Sequence, residues 1–300
     1  MNWSKAKTIL IILFLIADIF LLYELYPGFL GNNKMIDDES TKEVMKYLEK
    51  QGIYVRCLVP KAISPKAPLT VKYKYIDSQY ALKNFFHAPE EVVIKNFEDK
   101  QTMEDESIYI EIYKNGEFIY TNKKLMENKA EELDEKAALN SIEGFLKKLG
   151  IEEKDLYDII QNIDRNYVKL NCSQGYKDTF LDQSFLEVLA TNEGVAYMKM
   201  LWFEVENNGK NKNDIMDPMK ALIKLADELA QPTEQQTEED DRIVNIYDIR
   251  LGYYFDTEIE QVKEFDIVEV KEGTAIPSWR IKTDKGNIYI NAYNGTVEKN

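Results

Sequence analysis

His87 is the single histidine in 300 residues. A Ser-His-Asp arrangement would have to use it, and no serine stands in a GxSxG elbow. Zinc sites of the HExxH type need two histidines and are excluded. His87 follows Phe85 and Phe86 and precedes Pro89, which is the setting of a surface or helix-end histidine. No GxxxxGK or GxGxxG loop is present to cradle a phosphate. The loop from Asn207 to Asp214 has oxygen donors without the spacing of an EF-hand. Carboxylate pairs such as Asp178 and Asp182 abound among 53 acidic residues, and separation in space decides whether such a pair hydrolyses anything. Cys57 and Cys172 stand 115 positions apart with no CxxC, which excludes a zinc ribbon or thioredoxin-type motif. They read as two buried free thiols, with a disulfide outside the membrane as the alternative. Asn171 and Asn294 begin glycosylation sequons, which matter only in a eukaryotic secretory pathway. No catalytic, metal-ligating or cofactor-binding residue is assigned, no cofactor is expected, and the chain reads as a non-enzyme.

The formal net charge is −15, and no basic face appears. That argues against a nucleic-acid partner. With 44% hydrophobic residues the chain has enough apolar surface for one large or two modest domains. Strand-forming Tyr, Ile and Val alternate with Lys- and Glu-rich helical stretches, so the fold class is α+β.

One segment stands apart. Ile9 to Leu25 is apolar except for Asp18 and Glu24. Residues 8–26 as a helix reach roughly 28 Å, close to the hydrocarbon thickness. Trp3 lies near one edge, and Tyr23 and Tyr26 near the other, as an interfacial belt requires. Lys5 and Lys7 precede the run and orient the N-terminus to the cytoplasm. A cleaved signal peptide is the rival reading, but Tyr26-Pro27-Gly28-Phe29 offers no pair of small residues for cleavage. The expectation is a single-pass cell-membrane protein with the bulk of the chain extracytoplasmic. Asp18 is costly if it faces lipid. On a helix it shares a stripe with Ile11, Phe14, Leu21, Leu22 and Leu25. This stripe is the expected contact with a partner's membrane helix, with Asp18 as the interhelical hydrogen-bonding group. The bland alternative is a protonated Asp18 tolerated in a short anchor.

The outer part divides near residue 130. Residues 1–7 are cytoplasmic, 8–26 span the membrane, 27–130 form a membrane-proximal α+β domain, and 131–300 form a second. In the first, the pattern predicts a helix from Glu39 to Gln51 ended by Gly52, strands from Ile53 to Val59 and Leu69 to Ile76, and a helix from Ser78 to Phe86. A strand from Val92 to Phe97 follows, then a hairpin turning at Asn115-Gly116. The charged run 122–136 leads into a helix from Leu133 to Leu149, ended by Gly150. Strands are predicted from Ile163 to Cys172, Gln183 to Thr191 and Val195 to Val205. A helix opens at Pro218 and runs to Ala230. Residues 231–241 form a solvated loop. Strands are predicted from Ile243 to Phe255, Val262 to Val270 and Ile276 to Thr283. In the terminal hairpin, Trp279 and Ile281 face one way and Arg280 and Lys282 the other, and Asp284-Lys285-Gly286 makes the turn. Tyr253, Tyr254, Phe255 and Trp279 either fill the core or line a peptide or glycan groove.

Several runs carry a resemblance. Met1-Asn2-Trp3-Ser4-Lys5-Ala6-Lys7-Thr8 leads straight into the apolar helix with Asp18. Leu251-Gly252-Tyr253-Tyr254, then Ala275-Ile276-Pro277-Ser278-Trp279-Arg280-Ile281, then Tyr289-Ile290-Asn291-Ala292-Tyr293-Asn294-Gly295 stand near the other end. Together they resemble the YycI family. The terminal hairpin also resembles PepSY-type modules. The resemblance implies a regulator of a WalK-like sensor histidine kinase, part of a two-component system controlling cell-wall metabolism. It implies that the anchor docks on the kinase's membrane helices and that the outer domains, PepSY-like hairpin-and-helix units, bind a YycH-like partner. A peptide- or wall-fragment-binding module without a kinase is the alternative.

Overall fold

The computed structural model of the chain describes residues 34–35, 38–127, 132–208, 211–230, 243–255 and 272–298. The expected anchor, with Ile11, Phe14, Asp18, Leu21, Leu22 and Leu25, lies outside them. So do the boundary near residue 130, the loop over 231–241 and the strand over 262–270. Among the described residues, no helix is long and apolar enough to cross a membrane.

The helices are α1 (Asp38–Lys50), α2 (Ser78–Phe85), α3 (Lys123–Glu127), α4 (Glu135–Lys148) and α5 (Pro218–Leu229). The strands begin with β1 (Lys34–Met35), β2 (Ile53–Val55), β3 (Ala62–Ile63), β4 (Leu69–Tyr73), β5 (Val93–Asn96) and β6 (Lys100–Glu104). Next come β7 (Ile108–Tyr113), β8 (Phe118–Asn122), β9 (Leu156–Ile163), β10 (Val168–Tyr176), β11 (Thr179–Thr191) and β12 (Gly194–Leu201). The last are β13 (Phe203–Asn208), β14 (Val244–Tyr254), β15 (Glu272–Thr283), β16 (Gly286–Asn291) and β17 (Val297–Glu298). The result is a mixed α+β, sheet-dominated fold.

The main sheet has two arms. One runs β9-β10-β11-β12-β8-β7-β6-β5 with every neighbour antiparallel. Its inner face carries the alternating Ile108, Ile110 and Ile112 with Leu170, Val188 and Met198, all buried under α2 and α4. Phe85 from α2 and Phe145 from α4 meet Phe118 and Tyr120 with ring centroids 4.7–5.7 Å apart. The outer face is polar, and its lysines are neutralised in place: Lys169–Glu187 at 2.6 Å, Lys100–Glu111 at 2.5 Å, Lys199–Glu117 at 3.2 Å. One dry and one solvated face is the ordinary economy of an antiparallel sheet.

The second arm groups β2, β14, β15, β16 and β17, with β4 and β13 continuing along β15. Its core gathers residues 48–63 with 215–292, so the start of the described chain packs on its end. Helices α1 and α5 cover Ile249, Trp279, Ile281 and Ile290. The indole of Trp279 donates to the Met216 carbonyl at 3.0 Å. Asp77, Asp134 and Asp217 cap α2, α4 and α5 through backbone amides at 2.8, 3.1 and 2.9 Å. Such caps stabilise a helix by about 1 kcal/mol each. Gly52 and Gly150 end α1 and α4 at φ 80° and 67°, as their positions predict.

Three expectations are corrected. The strand expected from Ile163 to Cys172 spans a hairpin turn: Asp164 to Tyr167 is polar and closes on itself, separating β9 from β10. The strand expected from Val195 to Val205 breaks at Trp202, which is buried and whose carbonyl accepts from Lys74, so β13 leaves the first arm to pair with β4. Tyr253, Tyr254, Phe255 and Trp279 are all buried and belong to the core rather than to a groove.

The arms join where β11 and β14 run parallel at Leu181 and Tyr253. A side chain on Gly252 would place its Cβ 2.5 Å from the Phe180 ring. Gly252→Ala is expected to destabilise the protein by about 1–3 kcal/mol, the cost of overpacking a core. A urea midpoint unchanged by that substitution would show that the junction is loose.

Candidate functional site

Three neighbouring strands lose register at the same level. On β9, Asp158 and Ile159 lie between the pairs Ile160–Asn171 and Tyr157–Ser173. On β11, residues 182–185 lie between Leu181–Gln174 and Leu186–Cys172. Asp158 and Gln183 take left-handed backbone conformations, φ 49° and 67°, inside these bulges. Such a conformation costs about 1–3 kcal/mol in a non-glycine residue and persists only when its surroundings over-determine it. Here they do. The Ser184 hydroxyl donates to the Leu181 carbonyl and accepts from the Gln174 amide at 2.9 Å. The buried Gln174 side chain then clamps Phe203, donating to its carbonyl at 2.7 Å and accepting from its amide at 2.9 Å. Bulges bend a strand and re-aim its side chains.

What they aim is charge. Asp158 accepts from Arg250 at 2.8 Å and from the Nη2 of Arg280. Arg250 also closes on Asp248 at 2.8 Å. Arg280 is 8% exposed, and its guanidinium lies 4.2 Å over the ring of the fully buried Phe180. Asp182, from the β11 bulge, shares a hydrogen bond with the Tyr289 hydroxyl. Burial pushes the Asp182 carboxyl above the usual carboxylate range, against the pull of Tyr289 and Arg280. Burial and the nearby Asp182 raise the Tyr289 phenol as well. Tyr254 packs on Tyr289 with ring centroids 4.8 Å apart. A buried guanidinium held by a carboxylate and an aromatic face is a rigid junction.

Beside this junction opens a cavity of about 450 Å³ between β9 and the β14–β16 face. Asp158, Arg250, Arg280 and Lys282 line it, and Ile159, Ile160 and Tyr247 stand exposed on its rim.

Other candidates separate. Asp178 sits in the turn between β10 and β11 at φ 64°, four residues before Asp182 in the bulge. His87 is exposed after α2, at the rim of another cavity of about 490 Å³. Cys57 and Cys172 are free thiols; Cys172 is buried as expected, with burial holding its thiol up at about 12, whereas Cys57 is only half-buried. Among the described residues, no group of three His, Cys, Asp or Glu could hold a metal ion. The expected partner-helix residues around Asp18 lie outside the described residues. Sequence reasoning missed Asp158 and Arg250. A signal existed for the arginines: the chain has five, and two occupy alternating apolar strands.

Two measurements probe the junction. Asp158→Ala strands the charge of Arg280. A fully buried pair loses about 3–5 kcal/mol on losing one partner, and the 31% exposure of Asp158 brings the expectation to about 2–4 kcal/mol. A variant as stable as the parent would show Arg280 to be solvated. Asp182 gives a pH signature. Its folded-state pKa lies above the unfolded value, so the folded chain holds the proton longer. Stability is greatest below the unfolded pKa and falls as pH rises from there to the folded pKa. Urea titrations of Asp182→Asn should lack that decline, and an identical decline in parent and variant would assign it elsewhere.

A protein-family model described as "YycI protein" matches residues 31–293. No curated protein matches the chain. A crystal structure of an uncharacterized protein from Eubacterium rectale ATCC 33656 is similar at TM-score 0.51 and 10% identity, over 87% of this chain and 99% of that one. At that identity the likeness shows the fold alone. The Bacillus megaterium YpeB C-terminal domain aligns at TM-score 0.34 and 11% identity, over 89% and 97% of the two chains. With a family model covering nearly all of the chain beyond its apolar N-terminal run, the protein belongs to the YycI family.

Proposed function

We propose that the protein is a non-enzymatic, membrane-anchored regulator of a WalK-like sensor histidine kinase, working with a YycH-like partner. The observation that carries this reading is the family match over residues 31–293. The sequence supports it independently. Residues 8–26 have the length and flanks of a membrane helix, and Asp18 gives that helix a polar handle for another helix. The bulk of the chain then lies extracytoplasmic, as two α+β units of the PepSY-like kind.

The mechanism follows from linkage. A regulator shifts a kinase between two arrangements only by binding one more tightly than the other. A tenfold preference corresponds to about 1.4 kcal/mol. An interhelical hydrogen bond from Asp18 contributes about 1–2 kcal/mol, which is of the required size.

Asp18→Leu should therefore lower recovery of the kinase with the full chain in detergent by about five- to thirtyfold. Exchanging Ile9 to Leu25 for an unrelated anchor should abolish the effect on kinase output. Kinase output that survives the anchor exchange intact refutes the reading.

A further inference from the structure

Among the described residues, the main sheet is open along a seam. β14 pairs with β2 over Val244 to Ile246 and with β11 at Tyr253. Between those points residues 247–252 have no strand partner on that side among the described residues. Across the cavity stands β9, which pairs with β10 alone among the described residues. In an antiparallel pair every second residue turns its N–H and C=O away from the neighbour. β9 therefore turns backbone groups away from β10, and its residues 158–160 line the cavity.

Edge strands are normally blunted by brevity, proline or outward charge. β9 is eight residues long and has neither lysine nor proline. Its one charged residue, Asp158, is turned inward onto Arg250 and Arg280. Three isoleucines stand exposed along the strand beside the polar Gln161 and Asn162: Ile159 is 49%, Ile160 59% and Ile163 54% accessible. The opposite wall adds Tyr247, 53% accessible. Three cations line the cavity against two carboxylates, and both carboxylates are already closed on arginine. The charge left over sits on Lys282, which is exposed and has no ion-pair partner among the described residues. A local positive excess on a chain of net charge −15 selects an acidic occupant.

We propose that this slot docks an extended peptide segment of a partner protein, added as a strand to the β9 edge. Its apolar side chains meet Ile159, Ile160 and Tyr247, and a carboxylate lands on Lys282. The free edge from 159 to 163 spans about 17 Å, room for a strand of about five residues. Main-chain hydrogen bonds supply affinity and the two walls supply selectivity, as in strand addition generally. The proposal stands apart from the kinase reading, since it concerns a surface remote in sequence from the anchor.

The test uses the full chain in detergent and fluorescent peptides of about seven residues. One alternates valine with glutamate, one valine with lysine, and one serine with glutamate. The valine–glutamate peptide is expected to saturate, with affinity about tenfold above both others. Ile160→Asp and Lys282→Glu, both at exposed positions, should each weaken it about tenfold, and Lys282→Glu should reverse the preference between glutamate and lysine. Amide exchange along β9 should slow in the bound state. The proposal is overturned if the valine–glutamate peptide fails to saturate below about 1 mM, if serine–glutamate binds equally well, or if both variants keep full affinity. Protection that appears on β5 in place of β9 also overturns it. Any of these failures leaves the anchor-exchange result untouched.

Discussion

Arg280 is a permanent charge with 8% of its surface exposed, wedged over the Phe180 ring. Taking a guanidinium out of water costs several kcal/mol unless a carboxylate and further hydrogen bonds replace the solvent. Asp158 supplies the carboxylate, and it can do so only because β9 bulges and turns the residue through a left-handed conformation. The matching bulge on β11 brings up Asp182, and the Ser184 and Gln174 contacts hold both bulges in place. The loss of register in three strands and the strained backbone at two residues thus serve one electrostatic requirement. The two arms of the sheet meet where that requirement is satisfied.

The fold is nested around this junction. Residues 48–63 share a core with residues 215–292, while residues 76–202 build their own core between them. Leu48 and Ile53 are fully or nearly fully buried in a core that also draws on residues 215–292, well over a hundred positions away. Closing such long loops costs entropy before any contact rewards it, so local hairpins with tight turns are favoured to form early. The hairpin at Asn115-Gly116 and the one at Asp284-Lys285 are both local units of this kind.

Function and architecture divide along the chain. The proposed regulatory contact falls to the apolar N-terminal run with Asp18, outside the described residues. The sheet body offers a rigid junction and, beside it, a cavity lined by β9 and by Arg250, Arg280 and Lys282. Rigidity matters there, because a slot fixed by ion pairs keeps its two walls at one spacing. The balanced ion pairs on the outer face of the first arm leave that face without such a preference.

Local chemistry was legible from residues alone. Pro218 opening α5, Gly52 and Gly150 closing α1 and α4, and the Asn-Gly turn each act within one turn of chain, and each stands where its side chain or backbone freedom requires. The alternation that sets Trp279 and Ile281 against Arg280 and Lys282 follows from the period of a strand and holds in the structure. Other features had no local cause. β6 and β9 lack clean alternation and became strands because β7 and β10 offered them partners. Trp202 breaks a run that reads as continuous, since β4 captures the segment from Phe203 onward. Asp158 and Arg280 meet across 122 positions through a bulge whose geometry depends on three strands at once. Short-range signals fix φ and ψ, whereas the site is a matter of register between strands, and register is decided only when the sheet assembles.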